Sequence, residues 1–93
     1  MESTLREMIE LLSRTNEPDW ARCLERLLVR AQAPGDGDPQ TLARDVLALF
    51  GGMGSFSDLV LSVGGVPLRA ENDRLAALRT KLHAEAVALL TTH

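Results

Sequence analysis

Ninety-three residues, 45% of them hydrophobic and 25% charged, have the make-up of one globular domain spanning residues 1–93. A net charge of −3 argues against nucleic acid as a partner, because binding there requires a basic field that displaces counterions. One cysteine, Cys23, excludes an internal disulfide and a Cys-rich structural zinc site. No stretch approaches the ~18 apolar residues that span a bilayer. The start of the chain has neither the basic residues nor the apolar run of a signal peptide, so the expected location is the cytoplasm. Trp20, Phe50 and Phe56 are the only aromatics. The core is therefore Leu, Val and Ala, which suits helices packed on helices, and platforms for stacking bases are missing.

The first predicted helix runs from about Thr4 to Arg14 with Ser3 as its cap. Leu5, Met8, Ile9 and Leu12 recur at the spacing of one helical face. Asn16-Glu17-Pro18-Asp19 reads as the start of a second helix: Asn16 caps, Pro18 fits the first turn, and two acids face the positive end of the dipole. Its stripe is Trp20, Leu24, Leu27, Leu28 and Ala31. The joint is short, so the two helices pack as an antiparallel hairpin. Ala33 to Asp38 reads as a surface loop. Its acids and glycines do not keep the spacing of a calcium loop, and no metal site is expected there.

Asp38-Pro39 opens the third helix, with Leu42, Val46, Leu49 and Phe50 on its core face and Gly51 or Gly52 ending it. A glycine-rich stretch follows, Gly51-Gly52-Met53-Gly54-Ser55-Phe56-Ser57-Asp58, in which Ser55 to Asp58 fits a capping box. Leu59 to Val63 reads as a strand, Gly64-Gly65 as a hairpin turn, and Val66-Pro67-Leu68 as an edge strand able to carry a proline. A hairpin this small is marginal alone, so it should lie on the helices. The last helix runs from about Glu71 to Leu90 on a stripe of Leu75, Leu78, Leu82, Ala86 and Leu89, broadened by Val87 and Leu90. The expected fold is mainly α: a bundle of four helices with a two-stranded β-hairpin between helices 3 and 4. Trp20 is placed in the core, with Leu5, Ile9, Leu12, Leu24, Leu27, Leu42, Val46, Phe50, Leu75, Leu78 and Leu82.

Chemistry is sparse. The glycine-rich run lacks the Lys-Ser/Thr ending of a phosphate loop, the preceding strand of a dinucleotide fingerprint, and the frame of a nucleophile elbow. Ser57, Asp58 and His83 have no spacing that makes them a triad. No catalytic residue and no cofactor are expected. Arg22, Arg26 and Arg30 form a basic ridge on the second helix at i, i+4, i+8, expected to be solvated and partly paired with Glu25 and the acids of the first helix.

Trp20, the run Phe50-Gly51-Gly52-Met53-Gly54-Ser55-Phe56-x-Asp58-Leu59-Val60, and Glu71-Asn72-Asp73-Arg74-Leu75-x-x-Leu78-Arg79 resemble a family of small bacterial proteins of unknown function. The resemblance covers nearly the whole chain, and the Gly-Gly-Met-Gly-Ser-Phe core is its distinctive part. Ser57 stands where that pattern commonly has Asn. The resemblance implies no enzymatic activity and supplies no catalytic residues. Small acidic proteins of this class often act as immunity proteins beside a secreted toxin, an analogy of class alone. The function expected is non-enzymatic protein binding, in the form of an immunity protein whose contact surface is Gly52, Met53, Gly54, Ser55, Ser57 and Asp58 with Arg22, Arg26 and Arg30. The alternatives are a small-ligand or anion-binding module cradled by the glycine-rich loop, and a homo-oligomeric structural protein.

Overall fold

The computed structural model describes residues 1–32, 39–50 and 59–91. Their order is α1 (Glu2–Arg14), α2 (Pro18–Gln32), α3 (Pro39–Ala48), β1 (Ser62–Val63), β2 (Val66–Pro67) and α4 (Arg69–Thr91). These are the expected four helices, with the hairpin between the third and fourth.

Helix α1 begins two residues before Ser3 could cap it. The Leu5 N–H bonds to the Met1 carbonyl at 3.0 Å, so Met1 is the cap residue and no side chain caps the helix. Met1 is drawn in from both ends: it packs against the core, and its ammonium group lies 3.2 Å from Glu85 Oε2 on α4. The buried face is Thr4, Leu5, Met8, Leu11 and Leu12. Ile9 is only partly buried, so the stripe is rotated toward Leu11 relative to the expected one.

Asn16 ends α1; it does not cap α2. Its φ is +61°, in the left-handed region that Asn tolerates better than most residues. The Glu17 N–H turns back to the Leu12 carbonyl at 2.9 Å, the six-to-one bond of a Schellman ending. The Thr15 hydroxyl, buried beneath this turn, donates to the Leu11 carbonyl at 2.8 Å. Glu17 then supplies the first helical carbonyl of α2, accepting from the Ala21 N–H at 3.0 Å, and Pro18 occupies the first helical position, where its missing N–H costs nothing. One short joint thus closes one helix and starts the next, and α1 and α2 form the expected antiparallel pair.

Helix α2 buries Ala21, Leu24 and Leu27. Trp20 packs against the core but is only partly buried. Position 20 sits one residue off the stripe, and the small Ala21 takes the inward place. Helix α3 starts at Pro39 as expected and buries Leu42, Ala43 and Val46. It ends at Ala48, short of Leu49 and Phe50. Those two residues bond back three positions, to Val46 and Leu47, each at 3.1 Å, so the last turn is tightened. Phe50 is left partly buried. The expected stops at Gly51 or Gly52, the cap at Asp38, the capping box at Ser55 and the loop at 33–38 lie outside the described residues.

Helix α4 starts two residues earlier than predicted, at Arg69, because the Leu68 carbonyl accepts from the Asn72 N–H at 2.8 Å. It buries Leu75, Leu78, Leu82 and Ala86. Val87, expected in a widened stripe, is 40% exposed. Its flanks are rich in alanine, the best helix former, which lets a narrow seam sustain a long helix. The buried residues of all four helices and Leu61 form one cluster. At ~1.5–3 kcal/mol per buried leucine, that cluster is the main stabilising term.

Candidate binding surface

The hairpin is the part of the molecule whose residues are placed without being buried. Gly64 and Gly65 have φ of +58° and +81°, the pair of positive values that a type I′ turn requires. Apart from the adjoining residues, no atom lies within 4 Å of where a Cβ would stand on either one, so glycine is needed here for backbone conformation and not for space. The turn sets the register Val63↔Val66 and Ser62↔Pro67. Among the described residues only these four are strand. Leu59 to Leu61, expected to belong to β1, and Leu68, expected in β2, lie outside the ladder.

The base of the hairpin is fixed by a side chain. The Leu68 N–H bonds to the Leu61 carbonyl at 2.9 Å, as the next rung would. The reciprocal bond cannot form, because the Leu68 carbonyl has already turned into α4. Asn72 replaces it. Its Oδ1 accepts from the Leu61 N–H at 2.7 Å, and its Nδ2 donates to the Leu61 carbonyl at 2.9 Å. A planar amide with one donor and one acceptor on the same side is the group that can pair with both polar atoms of a single residue. Two turns further along α4, Arg79 Nη1 donates to the Leu59 carbonyl at 3.3 Å. The Leu61 side chain is completely buried beneath this clamp.

Beyond the clamp the apolar residues face water. Val63 and Val66 are 64% and 66% exposed, and Val60, at the base between the clamped Leu59 and Leu61, is 59% exposed. The expectation that the hairpin lies on the helices therefore holds at its base and fails at its tip. Alternation along a strand puts Val63 and Val66 on the same face as the inward Leu61 and Leu68, so a continuous apolar ridge runs out of the core into solvent.

A groove lies on the neighbouring face of α4. Phe50, Ala76, Arg79, Thr80 and His83 line a cavity of about 340 Å³. The Phe50 and His83 rings meet edge to face at a centroid distance of 5.4 Å, a favoured aromatic geometry. Phe50 ends one described segment and Leu59 begins the next, and both are tied to α4 one turn apart, at His83 and Arg79.

The residues expected to make contact divide in two. Gly52, Met53, Gly54, Ser55, Ser57 and Asp58 lie outside the described residues. Arg22, Arg26 and Arg30 are all exposed on α2, and two of them have acidic neighbours. Arg22 is 3.8 Å from Asp19 on its own helix, and Arg30 reaches across to α3, where its Nη1 lies 2.6 Å from Asp45 Oδ2. These partners are not the expected Glu25 and acids of α1. Two of the three arginines thus have a carboxylate within 4 Å, Arg22 loosely and Arg30 closely. Asn72 was not singled out for a role by sequence reasoning, although it stood in the quoted Glu71-Asn72-Asp73-Arg74 run. An amide in the first turn of a helix that follows a Gly-Gly hairpin was the available signal.

Among the described residues no group of three or more His, Cys, Asp or Glu side chains is placed to hold a metal, and no helix is long and apolar enough to cross a membrane. A family model described as Domain of unknown function (DUF6966) matches residues 13–69, more than half of the chain, and the chain belongs to that family. Trp20 and the stretch from Phe50 to Val60 fall inside the match; Asn72 and the rest of α4 beyond Arg69 fall outside it. No curated protein and no solved structure matches the chain.

Proposed function

We propose that this member of the DUF6966 family is a non-enzymatic protein-binding domain that presents its hairpin to a partner, in the particular form of an immunity protein that covers a toxin's active site. The observation that carries the reading is the pairing of order with exposure. Val63 and Val66 are more than half exposed on an element held in place by a bidentate amide clamp. Solvent-facing aliphatics gain nothing for the monomer, and an ordered apolar projection has little conformational entropy left to lose on binding. The contact surface moves accordingly, from the arginine ridge to the hairpin.

The test is capture of stoichiometric partners from the native cells with tagged protein, with a Val63→Asp/Val66→Asp variant run beside the parent. A partner held by the parent and lost by an equally stable variant supports the reading. A partner held equally by both removes the hairpin. For the immunity form, expression of the captured partner alone should arrest growth, and co-expression of this chain should relieve the arrest.

A second reading is favoured by the groove. Its volume is at the lower end for small-molecule sites, and it combines an aromatic wall with Arg79, Thr80 and His83. This is the small-ligand alternative, moved from the glycine-rich loop to the helix beside it. A thermal-shift screen of carboxylates and phosphates tests it. A ligand present at ~100 times its Kd raises stability by about 2.7 kcal/mol, and a flat screen counts against the groove.

A further inference from the structure

The two edges of the hairpin are not equivalent. With the register Val63↔Val66 and Ser62↔Pro67, the pair beside a two-residue turn exchanges ladder bonds and the next pair does not. The backbone N–H and carbonyl of Ser62 therefore point away from β2, along the outer edge of β1. Pro67 occupies the matching place on the outer edge of β2, and it has no N–H to offer. Among the described residues one edge is open, and the other is closed by a proline. Natural sheets usually guard an open edge with a charge. No residue from Leu59 to Leu68 is charged, and the open edge is flanked by the exposed Val60 and Val63.

We propose that β1 pairs antiparallel with β1 of a second copy of this chain, about a two-fold axis at Ser62. Each Ser62 donates its N–H to the other's carbonyl, which satisfies the groups that β2 leaves unpaired. Uncharged edges meet without like-charge repulsion, and the self-complementary geometry is that of the commonest closed assembly. In this register Val63 of each copy stands beside Leu61 of the other, so the apolar ridges merge across the joint. The strand order becomes β2-β1-β1-β2, and a Pro67 occupies both outer edges. Pairing therefore stops at two copies and does not continue into a fibre. The pairing is independent of the protein-binding reading; only the use of the merged ridge as a contact platform rests on it.

Light scattering on the full chain across a concentration series is the experiment. The mass should rise from one copy to two and then stay level. Ser62→Pro removes the outward N–H without touching the β1–β2 ladder, and it should hold the chain at one copy while circular dichroism stays that of the parent. Should that variant not fold, Val63→Lys tests the same edge by setting like charges close to one another. Pro67→Val reopens the outer edges and should produce masses beyond two copies. A parent that stays at one copy throughout overturns the proposal, as does a dimer that folded Ser62→Pro and Val63→Lys proteins both retain. A Pro67→Val protein that stops at two copies removes the proline from its role as the stop. No heterologous partner enters these measurements, so a single-copy result would leave the capture experiment to judge the protein-binding reading by itself.

Discussion

Leu61 and Val63 stand two residues apart on one face of the hairpin, and the fold treats them in opposite ways. Leu61 is sealed from solvent and Val63 is 64% exposed. Both are aliphatic and both favour extended backbone, so residue type does not explain the difference. What separates them is the reach of α4. Its first turn covers the base of the hairpin through Leu68 and Asn72, and the chain beyond that point projects past the helix start. An aliphatic residue stabilises a fold only where another element arrives to cover it.

Removing the covering elements should have the largest effect. Residues 13–69, the stretch matched by the family model, leave out Leu5, Met8, Leu11 and Leu12 of α1 and Leu75, Leu78, Leu82 and Ala86 of α4, all in the buried cluster. A fragment of those residues should show no cooperative unfolding transition in urea, whereas the full chain should show one. A folded fragment would mean that the base of the hairpin does not depend on α4.

Within the full chain, Leu61→Ala should cost about 2–5 kcal/mol, as large-to-small changes at sealed sites do, and Val63→Ala should stay within about 0.5 kcal/mol. Equal losses in urea melts would erase the contrast. Asn72→Ala leaves the Leu61 N–H without its acceptor in a part-buried place and should cost about 1–3 kcal/mol. Hydrogen exchange should show faster loss of the Leu61 amide in that variant while the amides of α2 keep their protection; uniform loss would make Asn72 a global support and not a local clamp. Trp20→Ala should cost about 1–2 kcal/mol, less than a sealed aromatic, because the indole remains partly in water. Arg30→Ala should also be mild. Its bond to Asp45 is short but exposed, and such pairs contribute about 0.2–1 kcal/mol. A larger loss would show that the α2–α3 contact depends on that ion pair.

Much of this architecture was legible in local chemistry. The stripes Leu24/Leu27, Leu42/Val46 and Leu75/Leu78/Leu82 mark their helices because period and apolarity coincide, and Pro18, Pro39 and Gly64-Gly65 mark starts and a turn because each has a narrow backbone preference. The misreadings share one cause. Asn16 is equally apt as an N-cap and as a left-handed terminator, and the packing of α2 on α1 selects the second. Ser3 was bypassed because Met1 finds partners on α4. Trp20 carries the largest side chain of α2, yet the nearness of α1 favours the smaller Ala21 on the inward line. The arginines kept their helical spacing, but their partners were set by Asp19 on the same helix and by Asp45 on the helix that packs beside them.

The order of elements, their types and the type I′ turn were determined by the sequence itself, because each depends on residues within a few positions of one another. The clamp of Asn72 on Leu61, the exposure of the valines beyond it and the inequality of the hairpin edges were decided only by the tertiary structure. They depend on where a helix that starts at Arg69 lies relative to a strand that ends at Val63, and that relation follows from how the whole core packs.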